Sequence, residues 1–292
     1  MTTDTNAFRW GVERRLEFIE FRLFWEGGVN RSDIVDEFGV SVPQASKDLS
    51  LYQEHAPRNI EYDRSQKRYF ASANFHPAFI SLDADAYLAR LAAVWPRDGE
   101  GPCGVRTEGV AAEQMPVPQR RIKPDVLRAV LACVRDGRSI EILYQSMSTT
   151  YPDPMWRRIS PHAFSNDGLR WHTRAFCHID GKFKDFILSR CLDTRALGEA
   201  GAQPAADSCW DKYFSVVLCP NPRLSPSQRT VIAQDYAMEN GEKFVPVRSA
   251  LLYYFSKRLR LDVADRFDDP REAPVIVKNR AAFDVALAEA MR

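Results

Sequence analysis

"SVPQASKDLSLYQE", residues 41–54, is the stretch whose reading decides the fold of the first third of the chain. Ser41 offers the hydroxyl of a helix N-cap, Pro43 suits a first turn, and Gln44 stands three residues after the serine, so the pattern predicts a capping box. Val42, Ala45, Leu49 and Tyr52 recur at helical spacing as an inward stripe, which leaves Pro43, Gln44, Ser46, Lys47 and Ser50 outward. Short polar side chains and a lysine near a helix start are what a major groove accepts. Glutamine pairs bidentately with adenine, and lysine with guanine.

The flanks fit that reading. Upstream, WGVERRLEFIEFRLFWE (10–26) places Val12, Leu16, Ile19 and Leu23 on one side of a helix stopped by Gly27-Gly28. Asn30 with Asp33 resembles the cap of a short second helix carrying Ile34, Val35 and Phe38, and Gly39 supplies the turn. Downstream, IEYDRSQKRYF (60–70) reads as two short strands around a polar tip with Arg64, Lys67 and Arg68. Three helices and a hairpin make a winged helix-turn-helix, with Gln44, Ser46 and Lys47 set to read bases and the three wing cations set to hold phosphates. Residues 1–70 are not net basic, so the reading rests on the order of caps, turn and wing.

Further along, residues 83–95 read as another helix, and 96–119 are rich in Gly and Pro without a period. We therefore expect a DNA-binding domain over 1–95, a linker over 96–120, a middle domain over 121–200 and a C-terminal extension over 201–292. The middle domain opens with a helix from Pro124, lined by Val126, Leu127, Val130, Leu131 and Val134 and capped by Gly137. Strands follow near 140–144, 157–163, 169–177 and 183–190, with Asp167-Gly168 and Asp180-Gly181 as type I′ hairpin turns. A helix leading into such a meander predicts a small, strongly bent sheet or barrel. The extension reads as a small α+β module.

RWHTRAFCHIDGKFKDFILSR (170–190) raises a question of its own, because His172, Arg174 and Arg190 interrupt strands that must bury a face. Alternation puts Trp171, Thr173, Ala175 and Cys177 on one side and His172, Arg174 and Phe176 on the other. Two guanidiniums on neighbouring strands suit a bound anion, and they suit a solvated rim equally well.

The order of winged helix, RRISPHAF (157–164), RWHTRAFC (170–177) and FKDFILSR (183–190) resembles the WYL-domain transcriptional regulators of bacteria. Within them it is most similar to the repressors that accompany phage-defence systems of the BREX and CBASS type. The Trp-Tyr-Leu motif stands here as Trp171-His172-Thr173, and the resemblance spans nearly the whole chain. It implies an Sm-like β-barrel whose cleft senses a nucleotide or nucleic acid, a homodimer on a palindromic operator, and control of an antiviral operon. By motif position the cleft would comprise Tyr144, Gln145, Ser146, His162, His172, Arg174 and Arg190.

Composition agrees with such a protein without demanding it. Lys and Arg number 40 against 39 Asp and Glu, so only a local basic surface would argue for nucleic acid. No apolar run reaches the roughly 20 residues of a membrane span, and MTTDTNAFRW has no export signal, so a cytoplasmic site is expected. The cysteines (103, 133, 177, 191, 209 and 219) form no CxxC pair and are expected as free thiols. The chain has no P-loop, GxSxG or HExxH, and neighbouring Cys177 and His178 point to opposite faces, so no enzyme, metal or cofactor is expected. Two other readings stay open. One is a nucleotide or single-stranded nucleic-acid sensor with secondary duplex binding; the other is a small-molecule enzyme using His172 and Arg174.

Overall fold

The computed structural model describes residues 10–94, 115 and 117–291, and the chain divides between 116 and 117 into two compact units. Most of the expected linker, and Cys103, lie outside the described residues.

In the first unit, α1 (Trp10–Trp25), α2 (Arg31–Phe38) and α3 (Val42–His55) precede a hairpin of β1 (Ile60–Asp63) and β2 (Arg68–Ala71), and α4 (Ala84–Val94) follows. Leu16, Ile19, Leu23, Ile34, Ala45, Leu49 and Tyr52 form one core. Asn30 and Asp33 cap α2 reciprocally, and Gly39 ends it in the left-handed region. The α3 cap is only half the expected box. Ser41 accepts from the Gln44 backbone N–H, but the Gln44 side chain turns down the helix and donates to Asp48 at 2.9 Å. Val42, expected inside, is 55% exposed. The buried stripe runs instead through Asp48, which Arg15 of α1 draws in with hydrogen bonds of 2.6 and 3.3 Å.

A second buried carboxylate organises the segment after the wing. Glu20 of α1 is fully buried and accepts from the Tyr52 hydroxyl at 2.9 Å. It also accepts from the backbone N–H groups of Ala78, Phe79 and Ile80 at 2.7 to 2.9 Å. A carboxylate can be buried here because its lone pairs are met by these donors.

In the second unit, α5 (Pro124–Asp136) leads into β3 (Arg138–Tyr144), β4 (Met155–Asn166), β5 (Trp171–Cys177), β6 (Lys182–Ile187) and β7 (Cys191–Glu199). All pair antiparallel in the order β6-β5-β4-β3-β7. The sheet is open: among the described residues no ladder joins β6 to β7, so the expected barrel is not closed. Both hairpin loops are also longer than expected. Asn166 pairs Trp171 and Cys177 pairs Lys182, so each loop has four residues between its pair and a left-handed glycine, Gly168 or Gly181, rather than a two-residue turn. The buried line of α5 is Val126, Val130 and Cys133, whereas Leu131 is 40% exposed. That line packs on Ile140, Ile142, Ile159, Ala175 and Cys177.

The rest of the unit is α6 (Ser208–Asp211), β8 (Tyr213–Pro220), α7 (Pro226–Asp235), β9 (Lys243–Arg248), α8 (Leu252–Arg258), β10 (Val275–Val277) and α9 (Arg280–Met291). Its three strands pair in the order β10-β8-β9. Leu252, Leu261 and Phe283 fill the core of this module, with Leu251, Phe255 and Leu259 packed against it. No helix among the described residues is long and apolar enough to cross a membrane.

Candidate nucleic-acid interface and the buried polar face of the middle sheet

The start of α3 presents Ser41, Pro43 and Lys47 fully exposed and Gln44 and Ser46 half-exposed. Ser46 and Ser50 fold their hydroxyls back onto the Val42 and Ser46 carbonyls at 3.0 Å. Among the described residues Lys47 has no carboxylate partner. The exposed chemistry at the start of this helix is therefore Lys47, with Gln44 held by Asp48. Asp48 is in turn held by Arg15, so the helix face is fixed before any ligand arrives.

The wing differs from expectation at one cation. Arg64 and Lys67 are exposed at its tip, but Arg68 is half-buried and donates to the Gly28 carbonyl at 2.9 Å. Val29 and Tyr69 exchange two backbone hydrogen bonds of 2.8 and 2.9 Å, so the segment before α2 runs beside β2 as a third short strand. Gly28 makes this possible. At φ +130 it adopts a conformation closed to most side chains, and a Cβ there would lie 2.5 Å from the Tyr69 carbonyl. Arg68, expected as a phosphate contact, thus clips the wing to the helices.

The seven residues expected to line one cleft fall into two groups. Tyr144, Gln145, Ser146 and Arg190 gather at one end of the sheet. The Gln145 N–H donates to the Arg190 carbonyl at 3.1 Å, and the Arg190 guanidinium lies beside the buried Tyr144 hydroxyl. Burial pushes that phenol up from its ordinary value. Arg190 belongs to a 3-10 turn over Leu188–Arg190, not to the strand. Its expected neighbour Arg174 pairs across the ladder with Asp185 instead.

His162, His172 and Arg174 lie on the face opposite α5, and there they are buried. Arg174 is 5% exposed and forks onto Asp207 with hydrogen bonds of 2.7 and 3.0 Å, with Asp185 at 3.5 Å. His162 Nε2–H donates to the same Asp207 at 3.0 Å, and His172 Nε2–H donates to Asp167 at 3.1 Å. Tyr254 of α8 stacks near His172, with ring centroids 4.7 Å apart, and donates to Asp185 at 3.2 Å. Arg258 of the same helix donates to the Asp167 carbonyl at 3.0 Å. The cations sit inside a strand because the sheet is covered twice, by α5 on one face and by the C-terminal module on the other. Arg174 is met by the carboxylates of Asp207 and Asp185, while Arg190 lies beside Tyr144.

The electrostatics follow from this burial. Burial pushes Asp207 up, but hydrogen bonds from His162 and Arg174 outweigh it and hold the group well below the usual carboxylate range. At Asp185 burial wins and raises the carboxyl despite the nearby guanidinium. Asp167, drawn down by the Leu169 and Arg170 backbone and by His172 against the opposing effect of burial, sits at about 2. Ser165 Oγ and His172 Nδ1, on residues that face each other across β4 and β5, are buried without a hydrogen-bond partner among the described residues. Sequence reasoning found both histidines and Arg174 but missed Asp207, whose only local signal was its place before Trp210 as the cap of α6. The described residues hold no cluster of three or more His, Cys, Asp or Glu able to bind a metal.

Three family models match. The "BrxR transcriptional regulator winged helix-turn-helix domain" covers 11–93 and the "WYL domain" 125–196. The "BrxR transcriptional regulator, C-terminal dimerization domain" covers 213–283. Among curated proteins, the chain is 39% identical over 275 residues to the DNA-binding transcriptional repressor CapW of Escherichia coli (strain KTE188), covering 93% of this chain and 90% of that one. It is 40% identical over 274 residues to CapW of Pseudomonas aeruginosa, with the same coverage. It is 37% identical over 284 residues to CapW of Stenotrophomonas maltophilia, covering 95% and 93%. Among solved structures, proteasome accessory factor B/C of Arthrobacter aurescens aligns with a TM-score of 0.26 and 17% identity, over 99% of this chain and 51% of that one. That score is too low to bear on the fold.

Proposed function

The chain belongs to the family of the CapW and BrxR transcriptional regulators, and from that premise we propose that it is a dimeric, sequence-specific repressor of transcription acting in the cytoplasm. The observation that carries the reading is the exposed, pre-set start of α3, with Lys47 unpaired and Gln44 fixed through Asp48 and Arg15. In this reading Gln44 and Lys47 read base edges, while Ser41, Pro43, Ser46 and Ser50 line the groove. Arg64 and Lys67 hold phosphates. The C-terminal module pairs two chains, because one winged helix covers too little DNA for useful specificity.

The middle domain is the sensor in this proposal, on a bent Sm-like plan, and its effector is a nucleotide or nucleic acid that releases an antiviral operon. Gln145, Ser146 and Arg190 form the accessible part of the effector site, over the buried Tyr144. His162, His172 and Arg174 form a latent part, which an anionic effector reaches only by displacing Asp207. Such an exchange changes how the C-terminal module is held, which is the differential contact that a switch requires.

Duplexes selected from a random library by the parent protein test the reading. Gln44→Ala and Lys47→Ala should each cost about 1–3 kcal/mol on the selected duplex and relax base preference. Arg64→Ala should weaken all duplexes alike. If Arg64→Ala altered base preference while the helix variants did not, α3 would not be the reading element.

A further inference from the structure

We propose that the first unit holds a built cradle for one backbone phosphate of duplex DNA, between the start of α2 and the wing, and that Arg31 and Lys67 share it. The proposal deepens the duplex-binding reading above and rests on it.

A concave pocket of about 320 Å³ is lined by Asn30, Arg31, Ser32, Tyr62, Gln66, Lys67 and Tyr69. Its two walls come from parts of the chain some thirty-five residues apart, and every lining side chain is polar or carries a hydroxyl. Arg31, Ser32, Tyr62, Gln66 and Lys67 are exposed, and neither Arg31 nor Lys67 has a carboxylate partner among the described residues. Nearby acids are already engaged. Asp33 is taken by the Asn30 N–H and by Arg22, and Asp63 by the Ser65 hydroxyl and the Ser65 and Gln66 N–H groups. Two guanidinium or ammonium groups, an amide and phenol hydroxyls converging without an acid present an excess of donors over acceptors. A tetrahedral dianion or a phosphodiester is the ligand chemistry that such a set satisfies.

The walls are also held in place. The paired backbone bonds of Val29 with Tyr69 and the Arg68 clip to Gly28 fix the chain that enters α2 against β2. The wing tip is set by the Asp63 turn, and Lys67 is kept at φ 51, a left-handed conformation uncommon for lysine. The side chains flanking the pocket include the Tyr62 and Tyr69 rings, 4.6 Å apart. A phosphate bound here meets a site that needs little reordering, which is what distinguishes it from a loose basic tip.

One phosphate held by two cations makes a distinctive signature in salt dependence. The logarithm of affinity falls with the logarithm of salt by about 0.9 per neutralised phosphate of B-DNA. In the full-length protein bound as a dimer to two half-sites, the Arg31→Ala/Lys67→Ala pair should therefore lower that slope by about 0.9 per half-site, about 1.8 in all, with base preference among selected duplexes unchanged. A set of duplexes each bearing a single neutral methylphosphonate supplies the second readout. The parent should lose affinity at one backbone position per half-site that the double variant no longer senses. A slope lowered by about two per half-site would mean independent contacts, and an unchanged slope or an unchanged methylphosphonate profile would mean none; each overturns the cradle. If the parent itself bound no duplex, the repressor reading would fall with it, whereas a parent that binds beside an unaffected double variant removes the cradle alone.

Discussion

Arg174→Ala is expected to destabilise the second unit by on the order of 3–5 kcal/mol, the range for breaking one partner out of a buried ion pair. Asp207 and Asp185 would be left buried with their guanidinium gone, and only His162 and the Trp210 N–H would remain on the Asp207 carboxylate. Among the described residues neither carboxylate has a second Lys or Arg in contact. Hydrogen exchange resolved along the chain should show β5 and the segment around Asp207 losing protection together. The effect is one of charge and not of fit. Replacing Arg174, Asp185 and Asp207 together by apolar residues of similar volume should recover much of the loss, because the pair and its desolvation cost vanish together. A single alanine variant with parental unfolding behaviour would mean that Arg174 is solvated and that the ion network is not a structural one.

Glu20→Ala should cost the first unit about as much, roughly 3–5 kcal/mol, from several small losses. Removing the carboxylate strips the acceptor from three backbone N–H groups and from the Tyr52 hydroxyl, and each buried donor left unmet costs on the order of 1–3 kcal/mol before relaxation. Part of that is recovered where the segment 78–80 swings out to water. Glu20→Gln should be milder, since the amide oxygen still accepts while its NH₂ now opposes the same donors. Urea unfolding of the full chain, read by hydrogen exchange in α1 and α3, measures the difference. Equal stability of Glu20→Ala and the parent would show that the segment after the wing is not anchored by this side chain.

These two carboxylates also mark where sequence ceased to be informative. Helices α1 to α3 and the wing were legible because their signals are local: caps at Asn30 and Ser41, a glycine at 39, and apolar residues at a period of 3.6. The strands of the middle sheet were legible for the same reason, from alternation and from glycines at 168 and 181. Glu20 looked like one more charge on an amphipathic helix, because its partners lie 32 to 60 positions away. Asp48 carries no local sign of burial either, since its partner Arg15 lies 33 positions away. At the site, alternation correctly put His172 and Arg174 on one face and Cys177 on the other. What alternation could not supply was the second cover. Nothing in residues 170–190 announces that Asp207 and Tyr254 arrive from the C-terminal module, so the strand left open a bound anion or a solvated rim and did not show that protein carboxylates meet Arg174. The role of Arg68 as a clip was hidden for the same reason, since its partner is a backbone carbonyl forty residues away.

The most direct test of the central claim, that this chain represses by reading duplex DNA as a dimer, is nuclease protection of the DNA upstream of its own gene by the purified full-length protein. The account predicts protection of two half-sites related by a two-fold axis and spaced by about one helical turn, or a multiple of it, at physiological salt. Protection should be lost in the Lys47→Ala/Gln44→Ala protein, in which Asp48 keeps its Arg15 partner. An unprotected upstream region, together with tighter binding of single-stranded than of duplex DNA, would contradict the account and favour a nucleic-acid sensor for which duplex binding is secondary.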